Sequence, residues 1–331
     1  MGNAGRPRLT IVTPYPLSAN NGNWHTAARW ARFLAGTYRV TVEQTWTGAP
    51  CDLMIALHAR RSARSIRKFA NAHPDRPLVV VLTGTDLYHD LATSHEARRS
   101  LALATRLVVL NELGLRRLPR EVRGKAEVIL QSAPSLSPAR KPKRHLAIAV
   151  AGHLRDEKNP RLVWTLLRRL PADLAVRIRH VGDALEPALG AQAARAARGD
   201  TRYRWLGGLP RARVRQIIRA SHLLLHPSTI EGGAQVVIEA VTAHTAVLAS
   251  RVDGNAGLLG EDYPGLFAAN DADAALALIL RAAGEPQFLR RLQSRCERRA
   301  PLFAPQRERA KLRHLVDNCL RRSNRKRDEC T

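Results

Sequence analysis

At 331 residues and 45% apolar content the chain can build two hydrophobic cores, but it has no apolar run near the roughly eighteen residues that a membrane span needs. Its net charge of +26 is mainly arginine, since only seven of the 54 basic residues are lysine, and no helix-turn-helix, zinc-finger or ribonucleoprotein signature accompanies them. Specific nucleic-acid recognition is therefore not expected, whereas attraction for small anions is.

Cys51, Cys296, Cys319 and Cys330 are scattered, with no C-x-x-C pair and no His at zinc spacing, so neither a disulfide framework nor a structural metal is expected. The opening MGNAGRPRLTIVTPYP has no signal-peptide hydrophobic stretch, and Arg6 stands where myristoylation wants Ser or Thr. A cytoplasmic protein without stable membrane association is the expectation.

In chain order, RLTIVTP predicts a short strand, and NNGNWHTAARWARFLAG a glycine-containing loop feeding a helix that stops at Gly36. YRVTVEQTW and CDLMIALHA read as strands and RRSARSIRKFANAH as a basic helix. RPLVVVLTGTDLY reads as a buried strand entering a Thr-Gly-Thr-Asp loop, and ATRLVVLNE as a further strand. Strands alternating with helices predict a parallel sheet covered on both faces.

At LQSAPSLSPARKPKRH the pattern stops; Pro134, Pro138 and Pro142 among Ser, Lys and Arg predict an exposed interdomain connection. The alternation restarts with strand LAIAVAGHL, helix PRLVWTLLRRL and strands AVRIRHVG and RYRWLGG. Helix RARVRQIIRA, strand HLLLHPS, helix AQVVIEAVTA and strand TAVLAS follow. The prediction is an α/β chain of two doubly wound (Rossmann-like) domains facing a central cleft, residues 1–143 and 144–302. A terminal helix at 303–322 packs back across the domains, and a basic tail at 323–331 is expected to be disordered. No G-x-G-x-x-G follows a strand, which disfavours a nicotinamide cofactor.

The stretch PSTIEGGAQVVIEA combines Pro-Ser after a buried strand, two glycines, and glutamates at 231 and 239. Gly232 and Gly233 let the backbone approach a ligand closely. The helix that follows, opened by Ala234 and Gln235, would offer free N–H groups and a positive dipole end to a diphosphate. This segment resembles the donor site of family-4 glycosyltransferases with the GT-B fold, whose signature is two glutamates separated by seven residues. The resemblance implies that Glu239 accepts from ribose hydroxyls and that Glu231 faces the sugar being transferred.

The same resemblance extends to VAGHLRDEKNP, where Gly152, Leu154 and Lys158 match the family's Gly-Arg-Leu and following Lys, while His153 replaces the Arg and Arg155 lies two positions on. Fixed cations there would stabilise charge growing on the departing diphosphate. The resemblance thus implies catalytic roles for Lys158, Arg155 and Glu231. It also brings in the loops HVGD and RWLGGL, with Gly182, Trp205 and Leu206 near the diphosphate and base; Trp205 by itself reads first as a core residue. Asp-x-Asp in NDADAALALIL reads as a helix cap, so no metal is expected, and no cofactor beyond the substrates.

The first domain is similar to a narrower group, the selenosugar synthase of selenoneine biosynthesis, through TPYPLSANNGNWHTAARWARFL, ALHARRSARSI and VLTGTDLY. That resemblance implies transfer of N-acetylglucosamine or glucose from a UDP-sugar to selenophosphate. Asn20, Asn21, Gly22 and Asn23, then His58, Arg60 and Arg61, then Thr83, Gly84, Thr85 and Asp86 are the candidate acceptor contacts. An anionic selenium nucleophile needs positioning more than a general base. Two alternatives stay open: a family-4 enzyme acting on a lipid or polysaccharide hydroxyl, and a basic nucleic-acid-binding protein without enzymatic function.

Overall fold

The computed structural model describes residues 5–16 and 22–328. Arg8–Val12 (β1), Arg39–Glu43 (β2), Leu53–Leu57 (β3), Leu78–Leu82 (β4), Arg106–Val109 (β5) and Ala126–Val128 (β6) form one all-parallel sheet in the order β2-β1-β3-β4-β5-β6. Leu146–Ala151 (β7), Val176–Val181 (β8), Tyr203–Trp205 (β9), Leu223–His226 (β10), Ala246–Ser250 (β11) and Leu266–Phe267 (β12) form a second, ordered β12-β11-β10-β7-β8-β9 and also parallel throughout.

Continuous apolar runs make the central strands. LMIAL of β3 and LVVVL of β4 are buried at every position, as a sheet covered on both faces requires. The two-residue pleat sorts them: Leu53, Ile55, Val79 and Val81 pack with Trp30 and Leu34 of the Gly22–Leu34 helix and Leu312, Leu315 and Val316 of the terminal helix. Met54, Ala56, Val80 and Leu82 face the other way, against Ile66, Phe69, Ala97 and Leu101.

The chain divides into two compact units, one running to Gln131 and resuming at Pro305, the other Ser132–Ala304. The division falls ahead of the expected boundary at 143: the proline-rich stretch is largely exposed, as its composition predicts, but it is held by the second unit. Prolines deny this stretch a ladder, so its polar groups are satisfied singly. Ala133 N–H donates to Phe303 O (3.2 Å), Leu136 N–H to Thr242 O (2.9 Å) and Lys141 Nζ to His244 O (2.9 Å), while Arg219 Nε donates to Ser137 O (2.7 Å).

The terminal helix, Pro305–Asp328, belongs to the first unit and continues into the segment expected to be a disordered tail. Its anchor is Glu308, buried to 2% exposure, which accepts from Arg29 Nε (2.9 Å), Arg29 Nη2 (3.0 Å) and Trp30 Nε1 (2.7 Å). The fork of Arg29 matches the carboxylate in two places, and the indole adds a third donor.

Removing one partner of such a buried pair leaves the other charge uncompensated. Glu308→Ala is therefore expected to lower unfolding free energy by about 3–5 kcal/mol, read as a fall in denaturant midpoint. Glu308→Gln, which keeps an acceptor for Trp30, should lose less. A wild-type midpoint for Glu308→Ala would show the pair to be dispensable.

Candidate active site

In the second sheet the chain moves outward from β7 through β8 to β9, then returns to the other side of β7 for β10. This reversal is the topological switch point, where loops leaving the carboxyl ends of neighbouring strands diverge and open a crevice. The loop after β7 carries residues 152–159, and the loop after β10 carries residues 227–234. Thr229 N–H donates to Glu157 O (2.9 Å), stitching the two loops together.

A third loop, after β8, supports them. Leu154 N–H donates to Asp183 O (2.8 Å), and a side chain at Gly182 (φ +150°) would place its Cβ 1.9 Å from Gly152 O. Only glycine permits that approach. His153, standing where the family has Arg, accepts the Asp183 N–H at Nδ1 (3.1 Å). Asp183 Oδ2 also lies 3.6 Å from Nδ1, but a nitrogen accepting an N–H carries no proton, so we read the contact as the neutral hydrogen bond. His153 thus ties two loops. Trp205 does the same, giving its indole N–H to Gly182 O (2.9 Å), and Leu206 N–H extends the ladder to His180 O (2.8 Å).

Lys158 ends a short 3₁₀ turn, Asp156–Lys158, which Asn159 closes in the left-handed conformation before Pro160 starts the next helix. Its stem lies against Gly152 and its Nζ meets Glu231 Oε1. Glu231 is 8% exposed, and the same oxygen accepts from His226 Nε2 (2.9 Å). Ser228 Oγ sits 3.2 Å from that nitrogen. Burial alone would push the Glu231 carboxyl up, but Lys158 and His226 together hold it well below the usual carboxylate range. From behind, the backbone of Gly254 packs on the Glu231 loop so closely that a Cβ there would meet Glu231 O at 2.0 Å.

Glu239 is 2% exposed, in the Gln235–Val241 helix, and its Oε1 accepts from Arg211 Nε (2.6 Å). The helix is two turns long, shorter than the pattern AQVVIEAVTA predicts. Gln235, at its start, donates from Nε2 to Ser132 O (3.1 Å), and its Oε1 is buried without a partner. Gly232 is buried and Gly233 half-buried in the turn ahead, with Ala234 as the cap residue. Neither Glu231 Oε2 nor Glu239 Oε2 is among the buried side-chain atoms left unpartnered, and each stays outside the bonds made by its Oε1.

Arg155, on the same loop as Lys158, has its Nε 3.7 Å from Glu157 Oε2. Arg211 and His226 are the site residues that the sequence motifs do not reveal. Asp271 caps the Ala272–Gly284 helix through Ala274 N–H (2.9 Å), and Asp273 pairs with Arg169. No group of three or more His, Cys, Asp or Glu at metal-binding spacing occurs among the described residues.

In the first unit the acceptor candidates gather at the carboxyl ends of β3 and β4, beside the β1/β3 switch point of that sheet. Asn20 and Asn21 lie outside the described residues; Gly22 and Asn23 open the Gly22–Leu34 helix. His58, buried at φ +72°, accepts Arg61 N–H at Nδ1 (3.3 Å), which makes Nε2 the donor to Thr85 Oγ1 (3.0 Å). Asp86 is fully buried and accepts from Thr83 N (2.8 Å), Gly84 N (2.9 Å) and Ala59 N (2.9 Å). It is a clamp between two loops, with its oxygens spent on backbone, rather than a ligand contact. Asp90 accepts from Arg60 Nε (2.8 Å), and Arg61 meets the Tyr15 hydroxyl. The π-turn Asp86–Asp90 that supplies both carboxylates is a form concentrated at functional sites.

No helix among the described residues is long and apolar enough to cross a membrane. The fold is that of HepE of Anabaena, solved with UDP and glucose (16% identity over 94% of this chain and 100% of that one, TM-score 0.72). It is shared by sucrose-phosphate synthase of Thermosynechococcus elongatus (14%, 95% and 99%, TM-score 0.77) and a glycosyltransferase of Rickettsia africae (12%, 95% and 99%, TM-score 0.72). These bear out the GT-B architecture expected from the motifs. No curated protein sequence matches the chain. Residues 135–301, half of the chain and nearly all of the second unit, match the profile of Glycosyl transferases group 1, and the protein belongs to that family.

Proposed function

We propose that this glycosyltransferase takes N-acetylglucosamine or glucose from a UDP-sugar and passes it to selenophosphate. Selenium attacks the anomeric carbon, the bond to the diphosphate breaks, and UDP leaves with the electron pair. Water then cleaves the selenium–phosphorus bond, giving phosphate and a 1-selenosugar. The observation that carries the donor half is the meeting of Lys158, Glu231 and His226 at the switch point of the second sheet.

Lys158 is the cation for the departing diphosphate. A fixed ammonium is worth more in the transition state, where charge on the leaving oxygen is greatest, than in the bound donor. Glu231 and His226 hold it at the loop junction. Glu239, with Oε1 committed to Arg211, keeps Oε2 for a ribose hydroxyl. The neighbour HepE, solved with UDP-glucose as well as UDP, supports the uridine donor.

Selenophosphate rests on the first-unit motifs, which fall on the loops after β1, β3 and β4. A hydroxyl acceptor is the second reading. The observation favouring it is that Arg60 already faces Asp90, which reduces the positive charge open to a multiply charged anion.

Lys158→Ala is expected to lower kcat by about 10²–10³ with a small change in donor KM, as for removal of one transition-state donor. Glu239→Ala should mainly raise donor KM. Unchanged steady-state kinetics in both variants would displace the site.

With UDP-N-acetylglucosamine and selenophosphate, mass spectrometry should detect UDP and a selenium-bearing sugar. UDP release no greater than in the selenophosphate-free control removes that acceptor. Release on adding a sugar hydroxyl acceptor instead would establish the second reading.

A further inference from the structure

At the opposite end of the second sheet, β7 and β8 begin side by side, Leu146 pairing with Val176, Ala147 with Arg177 and Ala149 with Arg179. A parallel strand one place from the sheet edge is ordinarily apolar on both faces, as β10 and β11 are here. β8 instead alternates, with Arg177 and Arg179 exposed on one face. The segment Arg140–His145 runs beside them on its way into β7. Together they line a cavity of about 490 Å³ whose charged walls are Arg140, Lys141, Lys143, Arg144, Arg177 and Arg179.

Several of the unit's arginines are neutralised by acids, and others that are not, such as Arg195, Arg204, Arg290 and Arg291, do not line this hollow. Arg161 pairs with Asp156, Arg169 with Asp273, Arg202 with Asp200 and Arg295 with Asp262. The side chains of Arg140, Lys143, Arg144, Arg177 and Arg179 have no hydrogen bond or ion pair to any described residue. No acid lines the cavity; Asp173 lies on the wall of an adjoining hollow. Lys141 is fixed by the carbonyl of His244, and burial pushes its ammonium down to about 8. His145 is lowered by burial and by Arg177 and Arg179. Like charges held around one hollow without an acid favour an anionic occupant.

We propose that this hollow is a second, oligophosphate-binding site of the enzyme, gripped by Arg144, Arg177 and Arg179 with Arg140 and Lys143. Three observations choose the ligand. Several unpaired cations converge on one cavity, so a di- or triphosphate group matches them where a single carboxylate would not. The volume suits a small molecule. β7, six residues and about 20 Å long, separates the cavity from the Lys158 loop at its other end, so the ligand need not be the donor. The occupant is a free oligophosphate in solution.

The test is calorimetric titration of the full chain with inorganic tripolyphosphate at fixed salt, with and without excess UDP. Binding should persist with UDP present. Arg144→Ala/Arg177→Ala/Arg179→Ala, all exposed positions, should weaken it by at least about tenfold, while Arg290→Ala/Arg291→Ala/Arg298→Ala, an equal loss of exposed charge on the Pro286–Arg299 helix, should change it less than about twofold. Equal losses in the two variants would mean diffuse surface charge and overturn the site. Abolition by UDP would assign the anion to the donor site and overturn it too. Absence of tripolyphosphate binding, with capture instead by vesicles carrying a phosphoinositide headgroup, would overturn the free ligand. Whether UDP binds at all is read in its own titration and bears on the donor reading alone.

Discussion

A carboxylate taken out of water must be given a cation or several donors, and Glu231 is such a carboxylate. Its partners come from different places in the chain: Lys158 from the loop after β7, His226 from the last position of β10. The ion pair can form only if the two loops at the switch point lie together, and once formed it holds them there. The supports read as consequences. Gly182 lets the third loop press on Gly152, Gly254 backs the Glu231 turn, and Thr229 bonds to Glu157. A residue of other shape at either glycine would move the lysine and the carboxylate relative to each other.

Much of this was legible in the residues. Uninterrupted apolar strands alternating with amphipathic segments specify a parallel sheet, and Pro-Ser-x-x-Glu-Gly-Gly after one of them sets the Glu231 turn at the carboxyl end of that strand. Partnerships were not legible, because they cross long distances in sequence. Arg211 sits in RARVRQIIRA, which scans as a solvated basic face, and its role appears only when the fold brings Glu239 beside it. His226 ends the strand within HLLLHPS, and nothing local marks it as a partner for Glu231. Arg60 and Arg61 read as open cations, since nothing local announces that Asp90 and Tyr15 fold back onto them. The unit boundary falls ahead of 143 for a similar reason: the composition of the proline-rich stretch reports the lack of a ladder, while the carbonyls that hold it lie near 242 and 303.

The terminal segment shows how one distant pair overrides composition. RRSNRKRDECT is too charged to fold alone, yet the helix that enters it is fixed upstream by Glu308 under Arg29 and Trp30 and by an apolar stripe on the first sheet. Once nucleated by tertiary packing, a helix propagates through residues that would not start one.

The distribution of acids then gives the high positive charge its meaning. With 28 acidic against 54 basic residues, most arginines must stay at the surface, and the chain's few buried carboxylates are spent where geometry matters. Glu231 fixes a lysine, Glu239 an arginine, Asp86 two loops and Glu308 a helix. On the proposed reading, a diphosphate entering the second unit would bring its own negative charge to Lys158 and so compete with Glu231 for the same ammonium. That exchange is favourable only if Glu231 keeps a second partner when the lysine turns away, and His226, buried on the same oxygen, is placed to be that partner. A lone Glu–Lys pair would resist the donor; a carboxylate shared between a lysine and a histidine can release one and remain satisfied.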